Sequence, residues 1–339
     1  MFACFRDYAA SVKPPLNASL TAHLEQVLGD TPALHSVEAL QLLTRGKKTR
    51  GSLLCLVTAA LGGTLESALP RAAAIELIQT ATLIHDDFVD QHTTRRDAPA
   101  LWTIEGARKA VLLGDVLFAS AIRMMSELGR EDGQIVSHAI AEISRGAYQE
   151  PLDPHSLVDA IEAGLVNAAL YEKIIRLKTG VLFGAACQLG TLAAQASEAV
   201  QRCWLRYGLR IGEAYQIADD LHEVEHHLLA PAVDGGDLAA LAPALLFFAP
   251  SIRSSLIEAA RRSESPVDGE LRSHFETAQQ TMSREVEARL RAAVAEIEDY
   301  VPENGYARLT RETPRGLIEM FNEATPTASI PTRSRQRRT

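Results

Sequence analysis

Two short stretches carry enough carboxylate to hold divalent cations. In Leu83–Asp97, LIHDDFVDQHTTRRD, Asp86, Asp87 and Asp90 close an apolar run, and Arg95 and Arg96 follow at once. In Tyr215–Glu223, YQIADDLHE, Asp219, Asp220 and Glu223 repeat the spacing with Glu in the last place. On a helix, positions i and i+4 share a face one turn apart, so Asp86 and Asp90 project together. Like charges this close cost stability unless a cation sits between them. Hard divalent cations such as Mg²⁺ take oxygen ligands and keep waters and substrate phosphates in their shell. A single acidic triplet has the ordinary look of a solvated helix end or a cap. Two copies, each at the end of an apolar run, favour paired metal sites holding several Mg²⁺ ions around one diphosphate. Such metals act as Lewis acids on a departing diphosphate.

A diphosphate also needs fixed cations. RGKKTRG, Arg45–Gly51, offers Lys47, Lys48 and Arg50, and Arg95 and Arg96 flank the first carboxylate cluster. Lys178 and Thr179 stand in IIRLKTGVLFGAACQLG, just before an apolar run. Arginine grips phosphate bidentately, whereas lysine is a compact point charge. Taken singly, each of these groups reads as surface charge, and RGKKTRG as a basic turn. Taken together, they flank both acidic clusters, as a metal-bridged diphosphate pocket requires.

Helices must position these groups. Apolar residues recur at helical spacing in AAAIELIQTATLIHDD and LLGDVLFASAIRMMSEL, and alternating β-branched runs are scarce, so strands are not needed. ALGGTLESALP (Ala60–Pro70) and ELGREDGQ (Glu127–Gln134) read as inter-helix loops. EPLDPHS (Glu150–Ser156) and LLAPAVDGGD (Leu228–Asp237) read as breaks. The chain has 339 residues, 47% of them hydrophobic, enough for a large core. A single all-α domain over 1–325 is expected, followed by a basic, disordered tail over 326–339. The formal net charge of -9 argues against nucleic acid or anionic lipid as a partner. Cys4, Cys55, Cys187 and Cys203 form no CxxC pair, which fits a reducing, cytoplasmic setting. Neither a signal peptide nor a transmembrane run is expected.

These motifs resemble those of the trans-isoprenyl diphosphate synthases, the polyprenyl synthetase family, and most closely geranylgeranyl diphosphate synthases. GKKTRG looks like the family's GKRxRP, and LIHDDFVDQHTTRRDAP like its DDxxD motif followed by RRGxP. LLGDVLFA is similar to its GD segment, LYEKIIRLKTGVLFGAACQLG to its KT segment, and YGLRIGEAYQIADDLHE to FQxxDDxxD. The five follow the family's order from about Gly46 to Glu223.

The resemblance implies an isoprenoid-synthase-type helical bundle around a deep central cavity, a homodimer, and about three Mg²⁺ ions, for which Mn²⁺ can substitute. It implies that Asp86, Asp87, Asp90 and Asp219 bind metal and an allylic diphosphate, with Asp220 and Glu223 completing the second cluster. Arg95, Lys178 and Thr179 would hold the allylic diphosphate; Lys47, Arg50 and Arg96 would hold isopentenyl diphosphate; Gln216 would lie near the reacting carbons. The implied reaction is ionisation of the allylic diphosphate, attack by the isopentenyl double bond, and loss of a proton to the departed diphosphate. Positioning and electrostatics in a water-excluding pocket carry it.

The chain departs from the family pattern in places. Gln79 stands where the family has a histidine, and can donate a hydrogen bond but carries no charge. Two lysines usual after the second motif are missing, and Val224–Pro250 holds neither lysine nor arginine. Gly146-Ala147 replaces a Gly-Glu pair, and Glu223 replaces the last aspartate. An active trans-prenyltransferase stays ahead of two alternatives. One is a cyclase-like enzyme that ionises an allylic substrate without isopentenyl diphosphate, although DDLHEVEHH lacks the register of the cyclase NDxxSxxxE motif. The other is a non-catalytic partner subunit. In the family, bulky residues just before the first motif stop chain growth. Here Ala81 and Thr82 are small, so a product of geranylgeranyl (C20) length or longer is expected, with Phe118 as a floor and Met124 and Met125 deeper or simply core.

Overall fold

The structure is a computed structural model that describes residues 2–29, 44, 46–95, 98–150, 154–229, 233–262, 264–265 and 269–322. Arg96, the expected tail over 326–339, and parts of both breaks (151–153 and 230–232) lie outside the described residues.

The all-α reading holds. Among the described residues, extended structure is confined to two antiparallel pairs of two-residue strands: β1 (Thr94–Arg95) with β2 (Ala98–Pro99), and β3 (Val233–Asp234) with β4 (Glu264–Ser265). The first pair turns the chain just after the first carboxylate cluster.

Helix α1 (Phe5–Leu28) lies against α2 (Thr49–Ala60) and α3 (Leu65–Val89). The expected loop over Ala60–Pro70 is shorter than its glycines suggest. The Thr64 side chain accepts from the Ser67 amide at 3.2 Å and caps α3, so Pro70 falls within that helix. A buried alanine row, Ala68, Ala72, Ala73 and Ala74, lets neighbouring helices approach α3 closely. After α4 (Leu101–Glu105) come α5 (Ala107–Leu128) and α6 (Arg130–Gln149), joined by Gly129 alone rather than by the loop expected over Glu127–Gln134. Next are α7 (Pro154–Glu162), α8 (Ala168–Ile174), a π-helical stretch over Ile175–Gly180, and α9 (Val181–Ala193).

Helix α10 (Glu198–Leu229) is 32 residues long, about 48 Å. It packs most extensively against α9 and against α13 (Gly269–Ile297). Buried apolar residues form two clusters, one centred on α2, α3, α5 and α9, the other on α11 (Gly235–Phe248), α12 (Arg253–Arg262) and α13. Both α10 and α13 contribute to each cluster and tie them together. The last described helix, α14 (Ala307–Asn322), is pinned to α10 by the Tyr207 hydroxyl, which donates to the Thr310 carbonyl at 2.8 Å.

One buried ionic knot holds α13 on α10. Arg289 donates to Glu213 at 2.5 Å, to Glu172 of α8 at 2.6 Å and to Glu285 at 3.0 Å. The Glu213 side chain is 2% exposed and also faces Arg210 at 3.1 Å and Arg176 at 3.5 Å. The knot stands one to two turns before the second carboxylate cluster on α10, so it sets the helix that aims that cluster.

Candidate active site

A cavity of about 870 Å³ opens where α3, α6, the π-helical stretch and α10 converge. Successive turns of α3 present Gln79, Thr82, Asp86 and, at the helix's end, Asp90 to it. From α10 come Gln216 and Asp219; from the π stretch, Lys178 and Thr179. The start of α2 adds Lys47, Lys48 and Arg50, and α5 adds Phe118. Residues from the two carboxylate clusters and three basic segments, up to 172 positions apart (Lys47 to Asp219), thus line one space.

Two close approaches make this convergence possible. A Cβ on Gly146 of α6 would lie 2.8 Å from the Leu177 Cβ and 2.9 Å from the Lys178 nitrogen, so only glycine lets α6 meet the π stretch. A Cβ on Gly212 of α10 would lie 2.7 Å from the Gly180 Cα and 3.0 Å from the Thr179 carbonyl oxygen. With both glycines in place, the Thr179 hydroxyl donates to the Gln216 amide oxygen at 2.6 Å. π turns of this kind are frequent at functional sites.

Lys178 is the central cation. Its ammonium donates to Glu150 and also lies in the field of Asp86 and Asp90. Burial works against its charge, but Glu150 and the two aspartates outweigh burial, so its pKa is raised and it stays protonated. Burial is the largest influence on the carboxylates: it pushes Asp86 up to about 6, against the pull of Lys178 and with the push of Asp90. Asp219 is likewise pushed up to about 6 by burial and by Glu223. Carboxylates held together at this cost, with hard oxygen donors turned to a common space, fit a divalent cation of the Mg²⁺ type.

Not every expected residue faces the cavity. Neighbouring positions on a helix point about 100° apart, so each Asp-Asp pair divides its work. Asp87 turns inward, is 4% exposed, and accepts from Arg95 Nε at 2.5 Å. Arg95 still lines the cavity. Asp220 turns away from the cavity: it accepts from the Tyr171 hydroxyl at 2.7 Å and from the Gln216 amide nitrogen at 3.0 Å. There it buttresses Gln216. Glu223 is exposed and stands outside the cavity wall, beside His226 and His227. Ala81 is fully buried in the apolar core, not on the wall, because it lies on the face of α3 opposite to that of Gln79, Thr82 and Asp86. Met124 and Met125 are buried core residues as well.

Other residues join the site without a motif to announce them. Glu150 ends α6 one turn after Ala147, and supplies a carboxylate where the Gly-Glu pair is missing. Its position at the start of the Glu150–Ser156 break was the visible signal. Lys13 reaches the cavity from α1, and His85 and His92 reach it from either side of the first cluster. From the far end of the chain, the Met320 carbonyl accepts from Lys47, and Phe321 lies 5.0 Å from Tyr215 in edge-to-face contact. The guanidinium of Arg50 stacks 4.3 Å from the Phe183 ring centre.

A pH dependence follows. The unfolded aspartates titrate near 4, whereas Asp86 and Asp219 in the folded chain titrate at about 6 and Asp220 at about 7. Between those values the folded chain holds more protons than the unfolded one, so its stability falls as pH rises through this window. The thermal midpoint of metal-free protein is therefore expected to gain nothing from these groups above pH about 7, and to recover there when Mg²⁺ and inorganic diphosphate are added. Scanning calorimetry from acid to neutral pH checks this, and an Mg²⁺–diphosphate effect that grows toward acid pH would contradict it.

The described residues thus form an all-α bundle around an acidic, cation-flanked cavity. The family model described as Polyprenyl synthetase matches residues 34–229, and the chain belongs to that family. A geranylfarnesyl diphosphate synthase from Aeropyrum pernix is 35% identical over 204 residues, 56% of this chain and 62% of the relative. A geranylgeranyl diphosphate synthase from Mycobacterium tuberculosis is 35% identical over 178 residues, 52% of this chain and 50% of the relative. Heptaprenyl diphosphate synthase component 2 from Geobacillus stearothermophilus is 35% identical over 205 residues, 59% of this chain and 61% of the relative. The matched region thus spans 50–62% of the length of these curated relatives. Among solved structures, a polyprenyl synthase from Caulobacter crescentus CB15, complexed with calcium and isoprenyl diphosphate, is 26% identical. The two superpose with a TM-score of 0.69 over 91% of this chain and 95% of that one. A decaprenyl diphosphate synthase from Rhodobacter capsulatus shares the fold, with a TM-score of 0.71 at 23% identity over 93% and 99% of the two chains.

Proposed function

We propose that the chain is a Mg²⁺-dependent trans-prenyltransferase that condenses isopentenyl diphosphate with an allylic diphosphate. The observation that carries this reading is the placement of Asp86, Asp90 and Asp219 around one cavity with Lys178 among them. When bound, Mg²⁺ would supply Lewis-acid stabilisation of the leaving diphosphate. Asp86, Asp90 and Asp219 would hold it. Calcium and an isoprenyl diphosphate in the Caulobacter crescentus relative support an acidic site of this kind.

The chain's own residues have distinct parts in this reading. Lys178, fixed by Glu150, neutralises charge that builds on the leaving diphosphate oxygens, and Arg95, braced by Asp87, does so from the other side. Gln216 is held by Thr179 and Asp220, so its amide dipole is set before the allylic cation forms. Lys47 and Arg50 form a second cationic group, with Gln79 between them and the aspartates along α3, where isopentenyl diphosphate would sit. The walls from α5 and α6 include Phe118 and Ile143 and give the growing chain an apolar lining.

The same reading includes one domain, since α10 and α13 thread both apolar clusters, and a cytoplasmic setting, in which Cys55 and Cys187 stay as the buried free thiols they are. No helix among the described residues is long and apolar enough to cross a membrane. A second copy of the chain is part of it too: Leu112 and Val116 lie one turn apart on α5 and are 51% and 36% exposed, an apolar face that such a copy would cover.

Purified protein with Mg²⁺ and C5 to C20 allylic diphosphates, with and without isopentenyl diphosphate, tests the activity by mass spectrometry of the products. Elongated diphosphates that require isopentenyl diphosphate are expected, at C20 or longer. Hydrocarbons or alcohols formed without it would replace this reading with an ionising, cyclase-like one. Absence of turnover until a second subunit is added would replace it with the partner-subunit one, which the name of the Geobacillus stearothermophilus relative brings into play.

Product length is expected to answer to Thr82 and Phe118, which line the cavity, and not to Ala81, which does not. Phe118→Ala should lengthen the main product by at least one isoprene unit, and Thr82→Phe should shorten it. An unchanged product ladder in both variants would remove these residues from the growth path.

A further inference from the structure

We propose that Glu223, His226 and His227 form a separate site for a transition-metal ion of the zinc type, at the end of α10. One ligand atom from each of the three lies within 4.8 Å of the others. Their spacing, i, i+3 and i+4, puts all three on one helix face, so no loop has to close to bring them together. Small side-chain rotations bring atoms at this separation onto a common ion.

The chemistry of the donors separates this site from the carboxylate cavity. Imidazole suits zinc, copper and nickel, whereas all-oxygen sets suit magnesium. Two imidazoles and a carboxylate with an open fourth position are a standard zinc donor set. The burial pattern is also that of a site with an entrance. His227 is 2% exposed, its ring held 6.5 Å from the Phe275 ring, while Glu223 and His226 face solvent. From the first turn of α11, the Asp237 carboxylate comes within 3.8 Å of His227 Nε2. At that distance the carboxylate places negative charge beside the ring, which favours a cation there. An ion held here would also join the end of α10 to the start of α11, and would place positive charge in a stretch, Val224–Pro250, that has neither lysine nor arginine.

The expected zinc binding is read without any activity assay. Untagged, chelator-treated protein is titrated with Zn²⁺ in a large excess of Mg²⁺, and Co²⁺ is used as a spectroscopic substitute. One equivalent of zinc that Mg²⁺ does not displace is expected, together with the strong visible bands of four-coordinate Co²⁺. His226→Ala should weaken zinc binding by about tenfold or more. Because His226 is exposed, that variant should keep its circular dichroism; Glu223→Gln provides a second, near-isosteric check. Asp86→Asn should leave zinc binding intact. Zinc binding that survives both His226→Ala and Glu223→Gln, that is lost in Asp86→Asn, or that is absent in Mg²⁺ would overturn the proposal.

Discussion

Asp86→Asn lowers the turnover of the proposed prenyl transfer by about 10²- to 10³-fold, the usual cost of removing one group that stabilises charge developing in the transition state. The reason lies in what surrounds it. Asp86 sits among Lys178, Asp90, Glu150 and Arg95, in a setting where burial already resists its charge. An amide of the same shape keeps the packing and removes the negative charge that would hold the metal. The loss should therefore appear in kcat, measured at saturating Mg²⁺, while the thermal midpoint without metal stays level or rises, because a costly half-buried carboxylate is gone. Asp87→Asn should differ: Asp87 braces Arg95 from outside the cavity wall, so its loss removes a positioning contact. Equal kinetic losses in the two variants, with equal loss of stability, would mean that the first cluster acts as a structural unit and not as a cation holder.

Arg289→Ala is expected to cost about 3–5 kcal/mol of stability, because it leaves a buried carboxylate without its closest partner. Arg289 joins three glutamates from α8, α10 and α13, and the Glu213 side chain it contacts is 2% exposed. Arg210 and Arg176 are farther from Glu213 and themselves partly solvent-exposed, so they offset only a part of the loss. Chemical denaturation reads this directly. A change below about 1 kcal/mol, the worth of an exposed pair, would mean that the knot is solvated in practice. The double variant Arg289→Met with Glu213→Gln should recover most of the loss, since it removes the charge on both sides of the pair.

Much of the site was legible in the sequence because metal and diphosphate chemistry demands charge at fixed helical spacing. Asp86 and Asp90 could be paired on paper, and so could Lys178 and Thr179 as a flank. The direction of each second aspartate could not. Asp87 and Asp220 share the motif with their neighbours, yet each is engaged by a protein partner, Arg95 and Tyr171, and only the orientation of α3 and α10 in the bundle decides this. For Ala81, smallness is visible in sequence, but the face on which it stands, buried in the apolar core, is set by packing against other helices. Glu150, Lys13, Phe321 and the Arg289 knot belong to contacts between segments 28 or more residues apart, which local spacing does not encode. The loops at Ala60–Pro70 and Glu127–Gln134 were overdrawn because glycine and proline were counted as breakers, whereas the Thr64 cap and the single Gly129 joint let the helices run on.

The π stretch over Ile175–Gly180 has a consequence beyond its hydrogen bonds. A π turn holds one residue more than the α-helix it interrupts, so it shifts the phase of everything after it by about 100°. Lys178 and Thr179 face the cavity, and the residues of α9 that follow face the core, Leu182, Phe183 and Ala186 among them. The aim of the site's central cation and the seating of an entire core helix are thus set by the same surplus residue. Substitutions can tune either one alone. A change in length cannot: losing a single residue in this stretch would rotate the cation and the core face together, so chains that keep both are constrained here in residue count more than in residue type.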